Sequence, residues 1–96
     1  MVAGILRLTL RIEAAHSLKE KRMVVRSVVE RVRARFNAAA AEVEDNDTWN
    51  LATIGIACLS NDRAHAEAQL QAIASAITSW RLDAELLETE TEIITI

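Results

Sequence analysis

The side chains that most often carry catalysis or bind metals are few in this chain and lie far apart. His16, Cys58 and His65 are its soft metal ligands, and they show none of the close spacings that are typical of zinc sites. A nucleophilic cysteine needs a nearby base and electropositive surroundings, whereas Cys58 lies in an apolar run. We therefore interpret the histidines as surface residues and Cys58 as a core thiol. The sequence predicts no metal and no other cofactor.

Carboxylates recur at two-residue spacing in two stretches, Glu42/Glu44 and Glu88/Glu90/Glu92. Acid–base catalysis would require a pocket that pushes the pKa values of two such groups apart. Solvated acids in turns and strands are the more common interpretation of this spacing. The segment 44–47 lacks the spacing and the glycine of an EF-hand, and Gly4 and Gly55 do not form a phosphate-binding loop. We expect that the protein is not an enzyme.

The strongest chemical signal is a basic stretch that opens at Ser17 and continues to about Phe36. It holds seven basic and two acidic side chains, which gives a net charge of +5. The basic residues are Lys19, Lys21, Arg22, Arg26, Arg31, Arg33 and Arg35. One interpretation is a solvated helix face with internal pairs such as Arg26–Glu30. The other is a surface that contacts nucleic-acid phosphates, and the charge pattern alone leaves both open.

An α-helix must position these cations. Ser17 and Glu20 have the spacing of a capping box, in which the serine hydroxyl accepts from the Glu20 N–H and the glutamate reaches back to the Ser17 N–H. Apolar residues then recur at steps of three, four and seven, which predicts one buried stripe. The stripe comprises Leu18, Val25, Val28, Val29, Val32 and Phe36. Asn37 is suited to a left-handed C-cap.

The rest of the chain reads as four strands and a second helix. Strands are predicted over Val2–Ala14, Ala38–Glu44, Trp49–Leu59 and Leu86–Ile96, and a helix from Ser60-Asn61-Asp62 to about Trp80. Gly55, inside the third of these strands, indicates a bulge or a close backbone approach. The order β-α-β-β-α-β predicts an α+β, ferredoxin-like fold in which one antiparallel four-stranded sheet carries both helices on one face. Residues 1–96 are expected to form a single domain.

Charge is distributed unevenly along the chain. Residues 1–41 have a net charge of +6 and residues 42–96 a net charge of −9, so the overall −3 conceals a basic region. Charged residues interrupt every apolar run that would be needed for a signal peptide or a membrane helix. A single cysteine excludes an intrachain disulfide. These features favour a cytoplasmic protein without a membrane partner.

The stretch Ser-Leu-Lys-Glu-Lys-Arg at 17–22, followed by Val-Val-Arg-Ser at 24–27, resembles the YlxP-like family of small bacterial proteins. The segments 33–37 and 41–43, Asp47 and Trp49 continue the resemblance, which covers nearly the whole chain. Glu13 stands near a point where the family often has proline, and Asn50-Leu51 replace its frequent Gln-Arg. The resemblance implies a ferredoxin-like fold. It also implies an RNA-related role, because genes of this family often lie near those of translation and ribosome-maturation factors.

Two functions are consistent with these observations. The first is a non-catalytic protein that associates with RNA or ribosomal particles: Lys19, Arg22 and Arg26 contact phosphate, and Lys21 and Arg33 lie at the margin. The second is a protein–protein interaction or homo-oligomerisation module without nucleic acid. We also expect a homodimer, because 38–43 would form a weakly charged edge strand that is available for pairing.

The cap of the first helix gives a testable prediction. Replacing Ser17 by Ala removes the side chain that accepts from the first-turn N–H, and it should lower the free energy of unfolding by about 1 kcal/mol. Thermal unfolding followed by circular dichroism measures this change. An unaltered melting temperature would mean that the helix begins elsewhere.

Overall fold

Four strands and two helices follow the predicted order β-α-β-β-α-β, in a computed structural model that describes residues 1–13, 15–45, 47–80 and 82–96. The elements are β1 (Val2–Arg11), α1 (Leu18–Arg35), β2 (Ala39–Glu44), β3 (Leu51–Ser60), α2 (Arg63–Ser79) and β4 (Glu85–Thr95). All strand pairs are antiparallel, in the order β2-β3-β1-β4. The predicted ferredoxin-like α+β fold is confirmed.

The core lies between one face of the sheet and the two helices. Even-numbered residues of β1 and β3, such as Leu6, Leu8, Ile54 and Ile56, are fully buried, whereas their odd-numbered neighbours point to the other face. This alternation follows from the two-residue period of a strand. Helix α1 covers β2 and β3, and α2 covers β1, β3 and β4. In the described ranges, the other face of the sheet therefore has no helix above it.

Ion pairs between arginine and glutamate side chains cross the uncovered face of the sheet. Arg7 lies opposite Glu90 and Arg11 opposite Glu85, with nitrogen–oxygen distances of 3.8 and 3.6 Å. Arg7 also pairs with Glu44 from β2 at 2.6 Å. Because these side chains are about half exposed, the pairs favour the observed register but contribute little to stability.

Element boundaries differ from the predictions at several ends. The first strand ends at Arg11, whereas the prediction extended it to Ala14, which lies outside the described residues. Ile12 is still buried, and its backbone N–H donates to the Asn50 carbonyl. Asn37 is not a left-handed C-cap: the cap is Phe36 in an extended conformation. Among the described non-glycine residues, Asp45 has a positive φ, of 62°.

A bulge in β2 explains the glycine in the facing strand. The register with β3 shifts between Glu42 and Glu44, so that Val43 is an extra residue. A Cβ atom on Gly55 would lie 3.0 Å from the Val43 side chain, which shows the predicted close approach. The bulge also sends Glu42 towards the helices and Glu44 to the uncovered face. These two carboxylates are therefore separated and do not form a catalytic pair.

Gly4 allows α2 to pack closely on β1. A Cβ atom at this position would lie 3.0 Å from the Cys58 sulfur and 3.2 Å from a Leu70 methyl group, and all three residues are buried. Replacing Gly4 by Ala should therefore lower the free energy of unfolding by about 1–3 kcal/mol through overpacking. Combining it with Cys58→Ala should recover part of this loss. Urea unfolding of the single and double variants tests the contact, and equal stability of Gly4→Ala and the parent would contradict it.

Candidate nucleic-acid interface

Helix α1 begins where the capping pattern predicts. Ser17 is the N-cap, and its hydroxyl oxygen accepts from the Glu20 N–H at 3.2 Å. The reciprocal bond differs from the prediction, because the Glu20 carboxylate accepts from the His16 N–H, at 2.7 Å, and not from that of Ser17. These two hydrogen bonds fix the start of the helix, and Lys19, Lys21 and Arg22 lie within its first two turns.

Lys21 is buried, and this corrects its predicted place on the basic surface. Its side chain has no solvent exposure, and Val25, Val28 and Val32 are the other buried residues of α1. The spacing 21, 25, 28 and 32 is the helical spacing of an inward face. That signal is present in the sequence, but a lysine is almost never fully buried unless it is paired.

The ammonium group of Lys21 joins α1 to the connection between β2 and β3. It donates to the carbonyl oxygens of Asp45 and Leu51, at 2.6 and 3.1 Å, and lies 2.9 Å from a carboxylate oxygen of Glu42. Apart from this ammonium group, the buried carboxylate oxygen has no hydrogen-bond partner in the described ranges, so Lys21 is what compensates its charge. Thr53 adds a hydrogen bond from its hydroxyl to the Asp45 carboxylate.

Four other cations of α1 form a line on the outside of the helix. At about 100° per residue, Lys19, Arg22, Arg26 and Arg33 fall within an arc of about 60°, and all four are exposed. We call these four residues the basic row. It lies on the side of α1 that faces the β2 edge, because the Arg33 guanidinium donates to the Ala40 carbonyl at 2.8 Å.

The basic row differs from other cations of the protein in its lack of carboxylate partners. Arg7, Arg11, Lys21 and Arg63 each pair with an acid. In the part of the chain that the structure describes, no carboxylate lies within 4 Å of the charged nitrogens of the basic row. The Arg26–Glu30 pair of the solvated-face interpretation is not formed. The positive charge of the basic row is therefore exposed, and no acid of the described residues neutralises it.

The opposite side of α1 carries a second pair of cations. The guanidinium carbons of Arg31 and Arg35 each lie 5.6 Å from the centre of the Trp80 ring, just beyond the end of α2. These cation–π contacts hold the two arginines beside the tryptophan without cancelling their charge. The sequence placed both arginines on the basic helix but did not predict their partner, because Trp80 is remote in sequence.

The remaining candidate residues stay apart. Cys58 is buried, and His16 and His65 are exposed. The described residues contain no group of three or more His, Cys, Asp or Glu side chains that could hold a metal ion. Neither helix is long and apolar enough to span a membrane, as far as the described ranges extend.

Comparison with known proteins identifies relatives of this chain. The model of a family described as "Protein of unknown function (DUF503)" matches residues 3–91. The uncharacterized protein YlxP of Bacillus subtilis (strain 168) is 39% identical over 66 residues, which are 69% of this chain and 72% of that protein. The resemblance predicted from residues 17–22 is thus confirmed.

Solved structures resemble the fold at low sequence identity. The de novo designed protein Foldit4 is 14% identical, with a TM-score of 0.53 over 98% of both chains. A point mutant of SnoaB, a cofactor-independent oxygenase from Streptomyces nogalater, is 18% identical, with a TM-score of 0.44 over 99% of this chain and 91% of its own. At 14% identity the likeness to Foldit4 extends to the fold alone.

Burial of Lys21 predicts a large effect on stability. Lys21→Met leaves the Glu42 carboxylate and two carbonyl groups without their partner, so it should lower the free energy of unfolding by about 3–5 kcal/mol. Adding Glu42→Gln should restore part of this loss, because the uncompensated charge is removed.

Lys19→Met is the matched control, because Lys19 is an exposed lysine two residues away. It should change the free energy of unfolding by at most about 0.5 kcal/mol. Urea denaturation measures all three variants. Similar midpoints for Lys21→Met and Lys19→Met would contradict the buried position.

Proposed function

We propose that this chain, which belongs to the DUF503 family of proteins of unknown function, is a non-catalytic cytoplasmic protein that binds the phosphate backbone of RNA through the basic row of α1. The ligand is RNA, free or within ribosomal particles. Lys19, Arg22 and Arg26 supply the main contacts. Arg33 contributes at the margin, since its guanidinium already donates to Ala40. Lys21 has a structural role.

The observation that carries the proposal is the set of exposed cations without carboxylate partners. An ion pair in the free protein would have to break before a phosphate could bind, which would reduce the net gain. Lys19, Arg22 and Arg26 have no such pair to break in the described structure. Binding would instead release the counterions of the nucleic acid, which is the main source of non-specific affinity.

The position of the row within the helix supports an anionic ligand. Lys19 and Arg22 lie in the first two turns of α1, where the helix dipole already contributes positive potential. Cations are mildly unfavourable for the free helix at this end. The free backbone N–H groups at the start of the helix and the nearby cations would attract phosphate together, so the arrangement favours ligand binding over helix stability.

Aromatic residues favour backbone contacts over base stacking. Phe36 and Trp80 pack against the core, and Trp49 lies at the opening of α1 with its ring 6.5 Å from that of His16. The sequence has no other phenylalanine, tryptophan or tyrosine. Proteins that stack bases on a sheet carry aromatics on its exposed face. Here we expect recognition of phosphate positions and helical shape.

Reversing the charge of Arg22 and Arg26 tests the proposal. The variant Arg22→Glu/Arg26→Glu should lose association with RNA or ribosomal subunits, because two phosphate contacts become repulsive. The matched control is Arg31→Glu/Arg35→Glu, which changes the net charge equally at the same spacing, at two exposed arginines on the opposite side of α1. Co-sedimentation and fluorescence anisotropy at low salt measure binding, and circular dichroism checks folding.

The parent should also show the salt dependence of phosphate contacts. With three contacts, affinity should fall roughly 20- to 40-fold between about 50 and 200 mM salt. If the Arg22→Glu/Arg26→Glu variant binds RNA as tightly as the parent does, the RNA proposal is wrong. Equal loss in both variants would indicate a general charge effect and would also contradict it.

A further inference from the structure

Strand β4 is an edge strand whose outer side is open. It ends the sheet order β2-β3-β1-β4, and no strand of the described ranges lies beyond it. Its register with β1 is unbroken from Glu88 to Thr95, so this part of the edge is regular. The opposite edge, β2, has six residues and a bulge, and the Arg33 guanidinium donates to its Ala40 carbonyl. Of the two edges, β4 is therefore the more open to a further strand.

The pairing with β1 shows which backbone groups of β4 point outward. Met1 and Ile96 exchange two hydrogen bonds, in which the Ile96 N–H donates at 2.8 Å and the Met1 amino group at 3.0 Å. In an antiparallel ladder, such pairs alternate with pairs that do not bond to each other. Thr89, Thr91 and Ile93 therefore turn their N–H and C=O groups to the outer edge, where no described backbone group meets them.

The side chains of the same three residues line a groove on the helix side of the sheet. This groove lies between β4 and α2 and has a volume of about 360 Å³. Leu6, Leu70 and Ala74 supply much of its apolar lining. A strand that is added along β4 directs every second side chain to this side of the sheet. The groove therefore favours apolar residues at those positions.

Acidic side chains occupy the other side of the same edge. Glu88, Glu90 and Glu92 alternate with the groove residues and are exposed on the sheet face opposite the helices. Glu90 pairs with Arg7 at 3.8 Å, whereas Glu88 and Glu92 have no ion pair among the described residues. An added antiparallel strand would place its remaining side chains directly opposite these glutamates. Those positions are the non-hydrogen-bonded pairs, in which cross-strand side chains lie closest.

We infer that β4 binds an extended segment of a partner protein in which Lys or Arg alternates with apolar residues. The segment adds to the sheet as a fifth, antiparallel strand. Its basic side chains lie opposite the β4 glutamates, and its apolar side chains enter the groove. The backbone N–H and C=O groups of its apolar residues bond to the outer edge of β4. This inference does not depend on the proposed RNA binding.

Charge selects a basic partner over a second copy of this chain. The open face carries two cations, Arg7 and Arg11. Two other acids of this face, Glu44 and Glu85, equal them in number, so the three β4 glutamates leave a net charge of −3. Two β4 strands that paired antiparallel, with their open faces on the same side, would place glutamate opposite glutamate, which is destabilising. A strand with Lys or Arg at these positions forms cross-strand ion pairs instead.

A short capped peptide that alternates lysine and valine is the probe for this site. Fluorescence anisotropy should show saturable binding to the parent. A peptide of the same composition, with its lysines and valines in separate blocks, should bind at least about tenfold more weakly, because it cannot direct them to opposite sides. N-methylation of the central valines removes N–H groups that face β4 and should abolish binding. N-methylation of the central lysines should change the dissociation constant by less than about threefold.

The variant Glu88→Lys/Glu92→Lys tests the acidic side of the edge. It should weaken peptide binding at least about tenfold, because two cross-strand attractions become repulsions. The matched control, Glu30→Lys/Asp47→Lys, changes the net charge equally at two exposed acids outside β4. At about 0.15 M salt, where distant charges are screened, the control should change the dissociation constant by less than about threefold. Circular dichroism checks that each variant is folded.

Failure of the parent to bind the alternating peptide would overturn the inference. Equal binding of the block peptide, binding that survives methylation of the valines, or equal loss in the two protein variants would overturn it as well. A parent dimer that the peptide dissociates would show that a second copy occupies β4, and would also contradict it. The homodimer that is predicted through residues 38–43 uses the opposite edge, so it should persist when the peptide binds.

Discussion

The buried ammonium group of Lys21 sets the relation between α1 and the rest of the fold. It joins the first turns of the helix to Glu42 on β2 and to the carbonyl groups of Asp45 and Leu51. A buried charge is costly unless its partners are well placed, so this contact demands a particular geometry more than it adds stability. The bulge at Val43 belongs to the same arrangement, because it lets Glu42 turn inward while Glu44 faces the open side of the sheet.

This contact divides the cations of α1 into two kinds. Lys21 is buried and binds groups of the β2–β3 hairpin, whereas the basic row on the outside of α1 has no carboxylate partner in the described structure. The β2–β3 connection held by Lys21 and the edge carbonyl bound by Arg33 fix how α1 lies against the sheet. These contacts therefore set the orientation of the proposed phosphate surface.

Much of the fold can be predicted from the sequence, because its main signals are local. The capping pair at Ser17 and Glu20, the alternation in β1 and the order of the elements depend on neighbouring residues alone. Burial of Lys21 could not be predicted with the same ease. It depends on Glu42 and on a bulge that only the folded hairpin creates, although the spacing of Lys21 to Val25 was a visible signal. The contacts of Arg31 and Arg35 with Trp80 likewise depend on tertiary packing.

Nuclear magnetic resonance during an RNA titration tests the central claim most directly, namely that the outer cations of α1 bind phosphate while Lys21 is structural. A uniformly labelled protein is titrated with a short RNA stem at low salt. We predict that the side-chain N–H signals of Arg22 and Arg26 and the amide of Lys19 shift first, and that the Lys21 ammonium signal stays protected from solvent and unchanged. Shifts confined to the open sheet face, or a Lys21 signal that exchanges freely and responds to RNA, would contradict the account.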